Sequence, residues 1–159
     1  MTTTSIPSPP KGQDLAKVPL KFEVARIPVT DFDRAKDFYQ RLGWQLDIDF
    51  QFTDQVRAVQ FTPPGSPASI QFGEGTTAMA GPLEGLLLVV DDIQAAQAEI
   101  HGRGIDISEI FHALPGGEPK PGRDPEGRSY VSQASFSDPD GNTWVLQEVT
   151  ERVPGRITS

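Results

Sequence analysis

Few side chains in this sequence can do chemistry, and their types narrow the options at once. Cysteine is absent, which removes disulfides, thiolate-bound zinc, iron–sulfur clusters and thiol nucleophiles together. The two histidines are His101 and His112. His112 closes the string EIFH (109–112) and could act as a base or hydrogen-bond donor, with Glu109 as a second acid–base candidate. On a strand Glu109 and His112 would face opposite ways, so this E-x-x-H spacing does not suit a metal pair. His101 falls near the end of a predicted helix, where a cation suits the helix dipole. Arg26 and Arg57 lie in alternating segments. A guanidinium held there needs a partner, either a carboxylate of the chain such as Glu23 or Asp54, or an anionic or carbonyl-bearing ligand. Phe50 and Phe52 are two apart, share one face of a strand, and could stack on a flat ligand. The chain contains no G-x-S-x-G, no G-x-x-x-x-G-K-[ST] and no glycine-rich dinucleotide fingerprint, so hydrolase and nucleotide-binding readings fail.

Composition sets the frame for these groups. The 159 residues carry a formal charge of −8 and a pI of about 4.7. Phosphate backbones and anionic lipid surfaces require clustered Lys and Arg, and the 14 basic residues are scattered. Neither nucleic acid nor a membrane is expected as a partner. The longest apolar run, LLLVV, is too short to span a bilayer. The start, MTTTSIPSPPKGQD, has neither the basic onset nor the apolar segment of a signal peptide, so a cytoplasmic location is expected.

The elements that must position the candidate residues follow from periodicity. Residues 20–30 (LKFEVARIPVT) alternate as a strand does. Asp31 can cap a helix on which Phe32, Ala35, Tyr39 and Leu42 recur, and Gly43 stops it. Residues 44–52 and 55–62 are predicted strands, PPGSP is a turn, and residues 68–73 are a further strand. The pattern then restarts: a strand over 85–90, a cap at Asp92, a helical stripe of Ile93, Ala96 and Ile100, a stop at Gly104, a strand over 105–111, and closing strands over 129–137 and 143–150 joined by DPDGN. At an offset of 61, Asp31 meets Asp92 and Gly43 meets Gly104; at 76, Gly65 meets Gly141 and Ile70 meets Leu146. This repeated order implies an internal duplication. The fold class is therefore α+β: two βαβββ modules in one chain, forming cupped, partly closed mixed sheets around a cavity. Residues 1–19 are expected to be a disordered tail and 20–150 a single domain, with modules at about 20–75 and 83–150. Residues 151–159 form a C-terminal tail. The proline- and glycine-rich loop 112–129 is longer than a simple connection needs, and is either a lid beside the cavity or disordered.

VTDFDRAKDFYQRLGW (29–44), followed far downstream by SDPDGNTWVLQE (137–148), resembles the vicinal oxygen chelate superfamily of glyoxalases, bleomycin-resistance proteins and extradiol dioxygenases. The resemblance covers roughly residues 20–150. It implies paired modules whose cup, in the metal enzymes, holds a divalent ion on four side chains. Carried onto this sequence, those four positions are Val24, Ser69 or Gln71, Gly85 and Val145. Valine and glycine side chains offer no donor atom, and hard divalent ions and zinc need several carboxylate or imidazole ligands. No metal of the family type and no other cofactor is therefore expected.

With Val24 facing the cup, Arg26 faces it too, as do Gln71, Val145 and Gln147. The ligand-binding candidates are Arg26, Phe50, Phe52, Arg57, Gln71, His112, Tyr130 (at the base of the long loop) and Gln147. Two functional readings remain. One is a metal-independent protein that binds a hydrophobic or aromatic small molecule, as in drug sequestration, and pairs as a homodimer like the resistance proteins it resembles. The other is an enzyme on the same cup, a lyase or isomerase acting on a small oxygenated metabolite, with Glu109, His112 or Arg26 as acid, base or oxyanion partner. The sequence leaves open whether the chain is an enzyme.

Overall fold

A computed structural model describes residues 9–73 and 81–152. The tails expected at the two ends lie outside these residues over 1–8 and 153–159. Within the described residues the chain runs β1 (Val24–Arg26), α1 (Phe32–Arg41), β2 (Gln45–Gln51), β3 (Arg57–Thr62), β4 (Ser69–Gly73), β5 (Leu86–Val90), α2 (Ile93–Gly102), β6 (Phe111–His112), β7 (Lys120–Pro121), β8 (Ser132–Ser137) and β9 (Thr143–Glu148). They form a four-stranded sheet in the order β1-β4-β3-β2 and a five-stranded sheet in the order β5-β9-β8-β6-β7. In each sheet the first strand pairs in parallel with the last strand of its module and the remaining pairs are antiparallel. This is the α+β arrangement of two βαβββ modules, with neither sheet closed into a barrel.

Both helices start where the sequence places their caps. The Asp31 carboxylate accepts from Arg34 N at 3.0 Å and Asp92 accepts from Ala95 N at 3.0 Å, each satisfying an otherwise orphaned donor. Gly43 and Gly104 follow the helices at φ of 85° and 81°, a left-handed conformation that glycine adopts without a Cβ penalty.

Some boundaries differ from expectation. The strand predicted over 105–111 shrinks to Phe111–His112, with one isolated bridge from Ile107 to Phe136. Ser108 explains the interruption. Its backbone N–H donates to Ser135 O, but the return bond from Ser135 N goes to the Ser108 hydroxyl, so a side chain has displaced the main-chain acceptor. The strand predicted from 129 begins only at Ser132, because Tyr130 turns the chain at φ 70°. The first strand is three residues long rather than eleven.

One apolar core joins the two modules. Tyr39 of α1 is fully buried at its centre. Its ring lies 5.2 Å from Trp44, 5.7 Å from Phe61 and 6.4 Å from Trp144. Trp44 of the first module meets Trp144 of the second edge-on at 5.0 Å, a preferred geometry for aromatic pairs. In β4 and β9 the pleat sorts residues as expected: Ile70, Phe72, Trp144 and Leu146 are buried on the helix side, while Gln71, Val145 and Gln147 on the other face are half-exposed.

The DPDGN turn holds more than its own two strands. Asp138 accepts from Asp140 N and Asn142 N, both at 2.9 Å, and Gly141 takes φ 85°. From that turn three side chains reach into the first module. Asp138 accepts the Tyr39 hydroxyl at 2.8 Å, Asn142 Nδ2 donates to Pro28 O at 2.9 Å, and Asp140 accepts Thr30 N at 3.0 Å and the Thr30 hydroxyl at 2.6 Å. These buried bonds between the modules specify one docking of the halves, although Asp140 Oδ2 is buried without a hydrogen-bond partner.

Candidate functional site: the open face of the first sheet

The helix-side faces of both sheets are consumed by the core, so their open faces are what remains for function. On the first sheet, parallel pairing puts Val24 beside Ser69 and Arg26 beside Gln71. The Arg26 Nε–H donates to Gln71 Oε1 at 3.2 Å. With Phe52, Val56, Arg57, Ala58, Phe72 and Gly73 these two side chains line an open pocket of about 260 Å³. Gly73 has no room for a side chain: an added Cβ would stand 2.2 Å from the Arg57 carbonyl oxygen. The β3–β4 contact at the pocket wall therefore requires glycine.

The rim is apolar. Phe50 and Phe52 are 56% and 59% exposed, and their rings meet edge-on at 4.8 Å. Ile48 and Val56 beside them are also exposed. Such a contiguous exposed apolar cluster is unusual on a polar surface and marks contact with something apolar.

Elsewhere on the first sheet, outside the pocket lining, runs a polar chain that sequence reasoning missed. Thr62 donates its hydroxyl proton to Asp47. A threonine has one such proton, so in the 2.6 Å contact between Thr62 Oγ1 and Ser69 Oγ the donor is Ser69. Gln60 and Gln45 also donate to Asp47, at 3.1 and 2.7 Å. The Thr62 bond is the main cause holding the Asp47 carboxyl below its usual range. Asp47 occupies a register shift in β2 between Leu46 and Ile48; nothing in the local sequence announces that bulge.

Arg57 borders the pocket, but its charge is engaged elsewhere. It donates to Asp49 at 2.9 and 3.0 Å and to Asp33 of α1 at 3.0 Å, and Lys36 donates to Asp49 at 2.7 Å. These bonds, those from Arg57 foremost, hold the Asp49 carboxyl down to about 2. The network ties α1 to the β2–β3 hairpin. The carboxylates weighed for it from sequence, Glu23 and Asp54, are not its partners.

On the second sheet, Leu87 pairs with Val145 and Val89 with Gln147, and Leu87 and Val89 are 59% and 39% exposed. Gln147 spends its amide N–H on the Tyr130 carbonyl at 2.9 Å, and Tyr130 N donates to Glu148 O at 2.8 Å. His112 lies apart, its Nδ1 2.7 Å from Gly122 O, at a pocket of about 230 Å³ inside the long loop. No hydrogen bond or ion pair joins it to Glu109.

That loop is held by ion pairs which the sequence reading did not single out. Buried Asp124 accepts from Arg128 N, Nε and Nη2, each at 2.9 Å. The Arg128 bonds hold its carboxyl well below the usual range. Arg123 pairs at 2.8 Å with Glu148, whose other oxygen accepts Ile93 N at the start of α2. One signal was present: Glu148 follows Trp144 and Leu146 at even spacing, which puts a carboxylate on the buried face of β9.

Strand pairing bears on the register of the four positions that the sequence resemblance assigned to an ion. Val145 pairs with Leu87 as Gln71 pairs with Arg26, so Gln71 rather than Ser69 is the counterpart of Val145, and Trp144 rather than Leu146, which the 76-residue offset gave, is the counterpart of Ile70. The expected set becomes Val24, Gln71, Gly85 and Val145. One amide oxygen among hydrocarbon side chains is not a site for a divalent ion. Among the described residues no three His, Asp or Glu side chains gather where an ion could be held.

The sequence model of the Glyoxalase/Bleomycin resistance protein/Dioxygenase superfamily matches residues 21–146, and the chain belongs to that family. Among solved structures, it is similar to TnmS3, an antibiotic binding protein from Streptomyces sp. CB03234, at 31% identity and a TM-score of 0.63, covering 84% of this chain and 99% of that one. A glyoxalase/bleomycin resistance protein from the same Streptomyces strain is 32% identical with a TM-score of 0.59, covering 80% and 99%. A superfamily member from Sphaerobacter thermophilus DSM 20745 is 27% identical with a TM-score of 0.61, covering 81% and 97%. Comparison with curated proteins gives no match.

Proposed function

We propose that this chain is a metal-independent binding protein for a hydrophobic, aromatic small molecule, acting by sequestration as a drug-resistance protein does. The observation that carries this reading is the exposed edge-on pair Phe50–Phe52 beside the Arg26–Gln71 pair. Aromatic faces supply apolar area and stacking, while the guanidinium and amide orient a carbonyl or anionic oxygen of the ligand. The similarity to an antibiotic binding protein supports the same reading. The catalytic alternative loses ground because no hydrogen bond or ion pair joins Glu109 to His112 and His112 belongs to a separate loop pocket.

The working unit proposed is a homodimer. A cavity of about 260 Å³ is smaller than the ~300–1,000 Å³ usual for a drug-sized ligand. A second copy bringing the open face of its second sheet, with Leu87 and Val89, would enlarge and enclose it. Edge strands β1 and β5 each pair on one side only, which leaves a free edge for such pairing.

The test is calorimetric titration of the wild-type protein and of Phe50→Ala/Phe52→Ala with a panel of planar aromatic antibiotics, alongside mass spectrometry of ligand released from the purified protein. Binding of at least one compound, unmodified on release and weakened about tenfold or more by the double substitution, supports the proposal. A released compound that has been chemically transformed, or affinity that is unchanged by the substitutions, overturns it.

A further inference from the structure

The open face of the first sheet carries two opposite charges that the chain itself does not match. Arg26 gives its Nε–H to the Gln71 amide and, among the described residues, pairs with no carboxylate. At the other edge of the sheet, Asp47 accepts from Gln45, Gln60 and Thr62, which are all neutral donors. Among the described residues it pairs with no lysine or arginine. The nearest basic groups in the network, Lys36 and Arg57, are both engaged with Asp49. The Thr62 bond, which holds the Asp47 carboxyl below its usual range, keeps it ionised at neutral pH.

Register places the two charges on one line. Arg26 pairs with Gln71, Gln71 with Gln60 and Gln60 with Ile48, and directly opposed residues share a face of a sheet. Asp47 is the extra residue at the β2 bulge. Its bonds to Gln60 and Thr62 put its carboxylate on that same face. The order across the sheet is therefore guanidinium, amide, amide, carboxylate. Three strand spacings separate the ends, about 14 Å between backbones, which is beyond the reach of an ion pair. The next row along the strands is Phe50, Ala58 and Gly73. Ala58 and Gly73 rise little from the sheet and leave a shallow floor in the pocket, walled by Phe52, whose ring meets Phe50.

We infer that the ligand is amphoteric: a flat polycyclic aromatic compound with a protonated amine that seats on Asp47 and a carboxylate or carbonyl oxygen that seats on Arg26. Its rings lie over Ala58 and Gly73 against the two phenylalanines. A fused ring system with a substituent at each end can span the line between the charges. The inference rests on the small-molecule binding proposed above and adds to it the charge and the orientation of the ligand. The reason is desolvation. A neutral body laid on this face would strip water from a guanidinium and a carboxylate and replace it with nothing. A body charged at both ends replaces that water with two charge-assisted hydrogen bonds.

Calorimetric titrations of the full-length protein test it with two planar scaffolds, fluoroquinolones carrying a piperazine and a carboxylate, and acridine carboxylic acids carrying an aminoalkyl chain. Each is used in four forms: amphoteric, N-acetylated to remove the cation, esterified to remove the anion, and doubly masked. For at least one scaffold the amphoteric form is expected to bind about tenfold or more tighter than the doubly masked form. Asp47→Asn is expected to abolish the advantage conferred by the amine and to keep that of the carboxylate, and Arg26→Gln to do the reverse. Each ratio is read within one protein, so any loss of folded protein cancels. Doubly masked forms that bind as tightly as amphoteric ones, or ratios that neither substitution changes, overturn the amphoteric assignment and leave the aromatic binding site in place. Failure of every form of both scaffolds to bind overturns both.

Discussion

The Tyr39 hydroxyl donates to Asp138 across 99 residues of sequence at 2.8 Å, and accepts from Trp144 Nε1 at 3.1 Å. One phenol therefore links the helix of the first module to the turn and last strand of the second, at the centre of the core. Burial, and then the Asp138 carboxylate, push the Tyr39 hydroxyl well above its ordinary range, so it stays protonated and donating.

Tyr39→Phe removes that link while keeping the ring. The Trp144 N–H loses its acceptor and Asp138 keeps the Asn142 amide at 2.8 Å. The expected loss is about 1–3 kcal/mol, the cost of leaving a buried polar group unsatisfied. Urea unfolding followed by tryptophan fluorescence measures it; a loss below about 0.5 kcal/mol would mean the phenol is not a determinant of module docking.

Acid weakens this fold. Asp49, held down to about 2 by Arg57 and Lys36, and Asp124, held lower still by Arg128, both have folded-state values below the unfolded one. Their contribution is complete above the unfolded value of about 4 and is lost as pH falls through the folded value. Stability from urea titrations should therefore drop between about pH 4 and pH 2, and drop less steeply in Asp49→Asn. A flat profile over that window would contradict the ion-pair geometry.

Phe50 and Phe52 are more than half exposed, so truncation should separate binding from stability. Either single change to alanine is expected to shift unfolding free energy by no more than about 0.5 kcal/mol while weakening ligand affinity several-fold. Paired thermal melts and titrations read both quantities. A large fall in melting temperature would assign the rings to the single-chain core instead.

Chelation should leave the protein unaffected. With Val24, Gln71, Gly85 and Val145 at the family's ligand positions, dialysis against EDTA is expected to change neither melting temperature nor ligand affinity, and added zinc, nickel or manganese should not raise the melting temperature. A metal-dependent rise, which linkage requires of any ion that binds the folded state preferentially, would overturn this.

Much of the fold was readable because its determinants are local. Asp31 and Asp92 cap helices through bonds three residues away, Gly43 and Gly104 stop them, and alternation sorts Trp144 and Leu146 from Val145 and Gln147. The candidate site was readable in part. Arg26 and Gln71 do meet, and Phe50 and Phe52 do share a face. Arg57 was ambiguous, since its partners Asp49 and Asp33 are chosen by how α1 lies over β2–β3, and no spacing rule encodes that. The Asp47–Thr62–Ser69 chain depends on a bulge, and the loop clamps Asp124–Arg128 and Arg123–Glu148 depend on how the chain returns on itself.

By itself the sequence determined the family and the duplicated order of elements, because both are written in local residue patterns. Only the tertiary structure decided which carboxylate each arginine takes, that Gln71 is the counterpart of Val145, and that the DPDGN turn bolts the two modules together. Those outcomes depend on contacts between residues tens of positions apart, and such contacts exist only once the two sheets have closed over a common core.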